Sequence, residues 1–367
     1  MPTIAATELQ SFIASIFRAN GSSAAESSRI AMYLVGANLT GHESHGVIRV
    51  PLYVRWQREG EVVTDQTAKA IVDTTSFAVV DGGFGFGQTV CPQAVALGIE
   101  KCRHFGLSAI ALRDSGHIGR VGDWAEMAAA AGLVSVHFVN APAANLVAPF
   151  GGVERRFSTA PFCAGVPIPE GDPIILDFAT SMVAEGKVLV ASRGGTALPP
   201  DALIAEDGTI SGDPAVLYGP LAENPTRQAS LGLGAIRAFG EHKGSGLALM
   251  CELLGGALTG TGTTTASQRR FANGMLSFYI DPSRFDVAEF FPGEVRKYTA
   301  YVKATKPAPG FDEVLLPGDP ERRLRKQRMA EGIPLNEAVW TTIVEAARMA
   351  GTSVAAISAV EKAYRQV

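Results

Sequence analysis

Two polar clusters carry residue types suited to chemistry, and each sits beside a segment of regular apolar spacing. The first is Gly41-His42-Glu43-Ser44-His45-Gly46, with Arg49 four residues after His45. His42 and His45 are three apart, whereas a helical zinc motif needs histidines at i and i+4 so that both rings leave one face. No third ligand is evident, so no metal is expected. A guanidinium can grip a carboxylate through two parallel hydrogen bonds, and an imidazole one helical turn away would face the carbon next to it. Surface His and Arg at a helix start would give the same spacing.

The second cluster is Asp114-Ser115-Gly116-His117-Ile118-Gly119-Arg120. His117 follows an apolar run, Leu107–Leu112, and precedes a helical pattern, which is where α/β enzymes place ligands. Glycines nearby let backbone approach a ligand, and imidazole suits proton transfer near neutral pH. A capping or core histidine is the plain alternative. Ser115 has no positioned base and there is no G-x-S-x-G elbow, which argues against a serine hydrolase. Asp177, ending Ile174-Ile175-Leu176, and Glu241-His242-Lys243-Gly244, opening a helix, are each either a cap or a ligand group.

The elements that must position these groups are those of an α/β chain. Leu9, Phe12, Ile13, Ile16 and Phe17 recur at helical period after Thr7 and Gln10, which have capping-box spacing. Ser23 with Glu26 offers a second box, and a third helix is expected over Val47–Gln57. From Phe77 onward, strands at Phe77–Val80, Leu107–Leu112, Val134–Val139 and Ile174–Phe178 alternate with helices at Gln88–His104, Gly119–Ala131 and Ser181–Ala191. Residues 193–240 read as loop or lid, Lys243–Leu258 as a helix and Met275–Ile280 as a strand. The tail reads as helices at Glu321–Glu331, Asn336–Ala350 and Val354–Gln366. The expected division is a helical part over 1–75, a sheet domain over 76–289 and a helical part over 290–367 that can pack with the first.

The whole chain has 367 residues, 47% hydrophobic and 19% charged, with a formal charge of -4. That excludes a wholly disordered chain and gives no electrostatic case for nucleic acid or an anionic membrane. The run Arg322-Arg323-Leu324-Arg325-Lys326-Gln327-Arg328 reads as a solvated helix face. Four cysteines, no two within ten residues, offer no CxxC pair and suit a cytoplasmic setting. No apolar stretch reaches the roughly 20 residues that span a bilayer. The dinucleotide fingerprint G-x-G-x-x-G is absent. Asp81-Gly82-Gly83-Phe84-Gly85-Phe86-Gly87-Gln88 has the right context but the wrong offsets, and reads as a tight strand-to-helix turn.

Taken together, the segments resemble a known family. Gly41-His42-Glu43-Ser44-His45-Gly46-Val47-Ile48-Arg49-Val50-Pro51 is similar to the G-H-[DE]-S-H-G-x-x-R-x-P signature of the type-2 malate/L-lactate dehydrogenases. Gly85-Phe86-Gly87-Gln88, Ser115-Gly116-His117-Ile118-Gly119, Asp177-Phe178-Ala179-Thr180-Ser181, His242-Lys243-Gly244-Ser245-Gly246 and Leu316-Pro317-Gly318-Asp319-Pro320-Glu321 match in the same order. The hydroxycarboxylate dehydrogenase branch looks nearest. The resemblance implies a mixed α/β fold with a non-Rossmann nicotinamide-binding sheet, a homodimer, NAD or NADP as cofactor, and a small 2-oxo or 2-hydroxy acid as substrate. By the same carry-over, His117 is the general acid/base and Arg49 the carboxylate clamp, with Ser44 and His45 in the same pocket and His45 also at the nicotinamide. Cofactor contacts carried over are Gly119, Arg120, Val121, Leu176, Asp177, Phe178, Ala179, His242, Asn273, Pro317, Gly318 and Asp319.

Two positions depart from the family: Ser158-Thr159-Ala160-Pro161 stands where Gly-Thr-Asn-Pro is usual, and Ser245 stands at a customary tyrosine. Arg120, Arg155 and Arg156 are each candidates to meet a 2′-phosphate. Two rival readings are a reductase of cyclic ketimine carboxylates and a catalytically silent dinucleotide-binding protein.

Overall fold

The computed structural model describes residues 2–224, 228–265, 270–286, 288 and 290–365. Its largest sheet has seven strands: β1 (Lys69–Asp73), β2 (Phe77–Asp81), β3 (Leu107–Ser115), β4 (Val134–Asn140), β5 (Phe162–Val166), β6 (Ile174–Phe178) and β7 (Asn273–Ile280). They lie in the order β1-β2-β3-β7-β4-β5-β6. Within this sheet β2 and β3 run parallel, and every other neighbouring pair is antiparallel. The fold is therefore mixed α/β with a mixed sheet. β7 arrives late in the chain yet occupies the centre, and its first five residues are all buried. A strand covered on both faces needs such an unbroken apolar or small-residue run.

One face of the sheet is covered by the helices Gly87–Phe105 and Gly122–Ala130. Val80, Val95, Ile110, Leu112, Trp124 and Tyr279 form the core between them. On β4 the helix His242–Cys251 continues as a π-helical turn, Glu252–Ala257. A Cβ on Gly255 would meet the Phe138 carbonyl at 2.7 Å, so glycine is what lets that turn lie against the strand. A small four-stranded sheet, which includes Val147–Ala148 and Ala235–Arg237, adds a satellite core around Leu203, Leu217 and Tyr218.

Both chain ends share a second core. Leu9, Phe12, Ile16, Ile30, Leu34, Tyr53 and Val54 pack with Trp340, Ile343, Val360 and Tyr364. Thr3–Ile4 pairs antiparallel with Ile333–Pro334. Ser23 caps its helix, accepting from the Glu26 N–H at 3.2 Å. Glu26 does not reach back to complete the box. It is buried and accepts instead from Thr89 Oγ1 at 2.8 Å and the Asp65 N–H at 2.9 Å, tying three segments together.

Several expectations need correcting. Thr7 lies inside the first helix, which starts at Ala6 with no side-chain cap. The helix after His117 starts at Gly122 rather than Gly119, because Gly119 takes a φ of +71°. The Ser181 helix starts at Glu185, since Ser181 is bridged to Ala238. Residues 193–240 include short strands at Leu203–Ile204, Ile210–Ser211 and Ala235–Arg237. The strands β1 and β5 and the helix Phe290–Lys303 had no counterpart in the sequence reading: β1 is exposed throughout, and none of that helix's residues is buried. The last helix runs Val354–Arg365, and Gln366 lies outside the described residues. No helix among the described residues is long and apolar enough to cross a membrane.

Gly98 tests the helix-on-sheet packing. A Cβ there would stand 2.3 Å from Tyr279 Cε2, and Tyr279 is fully buried. Gly98→Ala should cost about 1–3 kcal/mol as overpacking, read as a lower urea midpoint. An unchanged midpoint would show that the helix does not seat against β7 as described.

Candidate active site

A cleft of about 710 Å³ runs between the Gly41–Arg49 segment, the end of β3, the end of β6 and the start of the helix Asp319–Glu331. Its geometry begins with Gly46. A Cβ there would lie 2.1 Å from Asn38 Oδ1, and the same oxygen accepts from the Val47 N–H at 2.8 Å. This contact folds the chain back so that Ser44, His45 and Arg49 all line the cleft. Arg49 donates from Nε to the Ser44 carbonyl at 2.5 Å. Its two terminal nitrogens have no partner among the described residues, so the fork faces the cleft unneutralised.

The opposite wall is the loop after β3. Asn273 Oδ1 accepts from the Ile118 N–H at 3.0 Å, while Asn273 Nδ2 donates to the Asn140 carbonyl at 2.7 Å. A Cβ on Gly87 would sit 2.3 Å from the His117 carbonyl, and the Gly116 N–H donates to the Gly85 carbonyl at 2.8 Å. The Gly85–Gln88 turn is thus a brace under the His117 loop. His117 stacks on His45 with centroids 5.6 Å apart and planes 11° from parallel. Its Nδ1 is 2.5 Å from Tyr53 Oη, which also accepts from Gln88 Nε2 at 3.3 Å. Ser44 Oγ lies 3.1 Å from His45 Nδ1.

Burial and the Arg49 charge, in that order, push the proton affinity of both rings down. His45 falls to about 3, with His42 and Arg120 adding to the effect, and His117 falls well below its usual value with His45 adding. Burial pushes the Tyr53 phenol up to about 12, against a hydrogen bond from Gln88 and the Arg49 charge. Both imidazoles are therefore neutral at pH 7 and Tyr53 keeps its proton.

At the far end, Asp177 accepts from the Gly122 N–H at 2.7 Å and burial raises its pKa. Phe178, Ala179, Gly119, Val121 and Asn273 also line the cleft. His42 Nε2 meets Glu321 Oε1 at 3.4 Å, a contact that helps hold the Glu321 carboxylate ionised. Glu321 Oε2 is buried without a partner, an acceptor left facing a site rich in polar groups.

Other residues carried over from the resemblance stand elsewhere. Arg120 is buried against Asp123 at 2.8 Å and Glu126 at 2.7 Å and does not line the cleft. His242 packs edge-on to Phe150, and Leu176 is exposed; neither lines it. Pro317, Gly318 and Asp319 stop just short, Asp319 being held by Lys303 at 2.8 Å and Arg322 at 2.6 Å, and the next residues, Pro320 and Glu321, reach the cleft. Of the phosphate candidates, Arg155 donates to the carbonyls of Leu217, Ala229, Gly232 and Gly234, and Arg156 bonds Glu154. Ala160 is buried at φ +33°, where an L side chain is disfavoured; Ser158 Oγ accepts its N–H at 3.1 Å and Thr180 Oγ1 donates to its carbonyl at 2.9 Å. Sequence reasoning missed Tyr53 and Glu321. Tyr53 had a signal, standing one helical turn after Arg49; Glu321 had none beyond its place in the late motif.

A family model described as malate/L-lactate dehydrogenase matches residues 4–344. The chain belongs to this family. It is 40% identical to hydroxycarboxylate dehydrogenase B of Escherichia coli K12, over 94% of each chain. It is 35% identical to an L-lactate dehydrogenase of Cupriavidus necator, over 89% of this chain and 91% of that one. A solved malate/lactate dehydrogenase homologue from E. coli superposes with a TM-score of 0.91 at 38% identity, covering 99% of each chain. Of the segments that carry the resemblance, Gly41–Arg49, His117–Gly119, Asp177–Ser181 and Pro320–Glu321 contribute to the cleft lining, while Gly85–Gln88 and His242–Gly246 do not.

The neutral rings make stability depend on pH. The unfolded chain takes up a proton on each histidine near pH 6.5, while folded His45, and His137 buried on β4 between Ser135 and Ser277, refuse it until about pH 3. Stability is thus full above pH 6.5 and falls as pH drops through that window. Urea midpoints measured from pH 7 to 4 should decline, and His45→Asn should flatten the decline. Parallel curves for the two proteins would refute the buried neutral ring.

Proposed function

We propose that this chain is an NAD(P)-dependent oxidoreductase that transfers a hydride between nicotinamide and C2 of a small 2-oxo or 2-hydroxy acid. The observation that carries it is the convergence of His117 and an unpaired Arg49 fork on one cleft, in a chain of the malate/L-lactate dehydrogenase family. A mixed sheet with one parallel pair supports the non-Rossmann reading. Four buried free thiols suit a reducing cytoplasm, and the exposed face of Phe285, Phe290, Tyr298 and Tyr301 suits a homodimer.

The cleft's chemistry fits a dinucleotide. Asp177, Phe178, Ala179, Gly119 and Val121 would hold it, and the orphaned Glu321 Oε2 is an acceptor for a ribose hydroxyl. When bound, the nicotinamide supplies the hydride to C2. Arg49 grips the substrate carboxylate bidentately and fixes C2 in reach. His117, through Nε2, gives a proton to the C2 oxygen during reduction and takes it back during oxidation. Arg49 is also a cation that depresses His117. A carboxylate on Arg49 cancels that charge, so the ring gains proton affinity when substrate is in place. His45, stacked on His117 and held neutral, offers a hydrogen bond without adding charge.

His117→Ala should lower kcat by roughly 10²–10⁴ while NADH binding by fluorescence titration is retained. Arg49→Ala should raise KM for the acid by about two orders of magnitude, as expected for loss of a charge-assisted bidentate contact. Turnover of 2-oxo acids with either reduced cofactor is the direct assay. Wild-type activity by the His117→Ala protein, or preference for a cyclic imino acid over every 2-oxo acid, would overturn this reading.

A further inference from the structure

We propose that Tyr53, backed by Gln88, is a positioning residue that sets which nitrogen of His117 carries the proton. This rests on the acid/base reading of His117 and extends it to two residues that the resemblance assigns no role.

The geometry leaves His117 one reactive nitrogen. Nδ1 is 2.5 Å from Tyr53 Oη, so Nε2 is the nitrogen left for a ligand in the cleft. The Tyr53 ring is 1% exposed and boxed in by Phe17, Trp56 and Phe86, so the hydroxyl is held in one place. With its pKa pushed up to about 12 by burial, the phenol stays protonated and can always act as donor or acceptor. Tyr53 also lies one helical turn from Arg49, so one helix start carries both the group that grips the acid and the group that tunes the ring.

Gln88 makes this a two-setting device. Its Nε2 lies 3.3 Å from Tyr53 Oη, and its Oε1 is buried with no partner. In the resting ring without substrate, Gln88 N–H donates to Tyr53 Oη, Tyr53 O–H donates to Nδ1, and Nε2 bears the hydrogen; the neutral ring left after proton transfer instead keeps Nδ1–H on Tyr53 Oη and a lone pair on Nε2. With a protonated ring, Nδ1–H donates to Tyr53 Oη, and Tyr53 O–H turns to Gln88 Oε1 once the amide has rotated to present it. During reduction the Nε2 proton goes to the C2 oxygen as the hydride reaches C2. Nδ1–H stays on Tyr53, and the Nε2 lone pair is left facing the new hydroxyl, ready for the reverse step. A carboxylate in place of the phenol would add a charge and hold the ring protonated. A neutral phenol leaves control of protonation to Arg49 and the substrate.

The test is Tyr53→Phe, which keeps the packed ring, with Gln88→Met as a second variant. Tyr53→Phe should lower kcat for 2-oxo acid reduction roughly tenfold to a thousandfold. KM for the acid and the dissociation constant for NADH, read by fluorescence titration, should stay within about twofold. The limb of the pH–kcat profile that requires a protonated ring should move to lower pH, because the charged ring loses its acceptor. Gln88→Met should shift the limb the same way by less. An unchanged profile in both variants would overturn the proposal, as would NADH binding lost in step with turnover. A wild type that reduces no 2-oxo acid would instead sink the acid/base reading itself, so the two failures are separable.

Discussion

A guanidinium and two imidazoles converge on one cleft, the guanidinium with no ion-pair partner among the described residues, and the rest of the structure serves to keep them there. Arg49 is charged at any accessible pH, and its field, together with burial, keeps His45 and His117 neutral. Left alone, such a site is poor at carrying a proton and good at attracting an anion. In the proposed reaction an incoming carboxylate would reverse both properties at once, because it would satisfy the fork and remove the field that emptied the rings. On that reading, binding and proton affinity are coupled through a single charge, with no moving part required.

Neutral contacts do much of the work of holding these groups in place. Asn38 folds the Gly46 turn, and Asn273 bridges the Asn140 carbonyl to the amide after His117. Two buried carboxylates do the same at longer range. Glu26 ties the first helices to the Thr89 helix, and Glu252 on the π-helical turn accepts from Ser158 Oγ at 3.1 Å and from Thr264 at 2.8 Å, pinning the strained Ala160 turn. Charged partners near the reacting groups would have shifted the very proton affinities that the site depends on. The ion pairs of Arg120 with Asp123 and Glu126 are turned away from the cleft.

Much of the element layout was legible because burial imposes period. Ile174–Phe178 matches its predicted span, and the helices at Gly87–Phe105, Asp319–Glu331 and Glu337–Ala350 differ from expectation by a residue or two at their ends. The misses have a common cause. The strand β1 is exposed throughout and no residue of the helix Phe290–Lys303 is buried, so their apolar residues, Ile71 and Val72 on one and Phe290 and Tyr298 on the other, face outward rather than into a core. Helix starts at Gly122 and Glu185 were misplaced because Gly119 and Ser181 are bound up in loop contacts with distant segments.

For the site, local sequence determined the chemistry on offer: an imidazole and a guanidinium one turn apart, and a second imidazole between glycines where a strand ends. Those follow from residue identity and short-range geometry, which a linear chain displays. Which groups meet was decided only by tertiary structure. Tyr53 reaches His117 across 64 residues, Asn273 reaches Ile118 across 155, and Glu321 reaches His42 across 279. The same folding withdrew Arg120, Arg155 and His242 from the cleft by giving each a partner elsewhere. A side chain's type is written in the sequence, but its direction depends on which distant surface it must satisfy, and that is settled only when the sheet and the two chain ends pack.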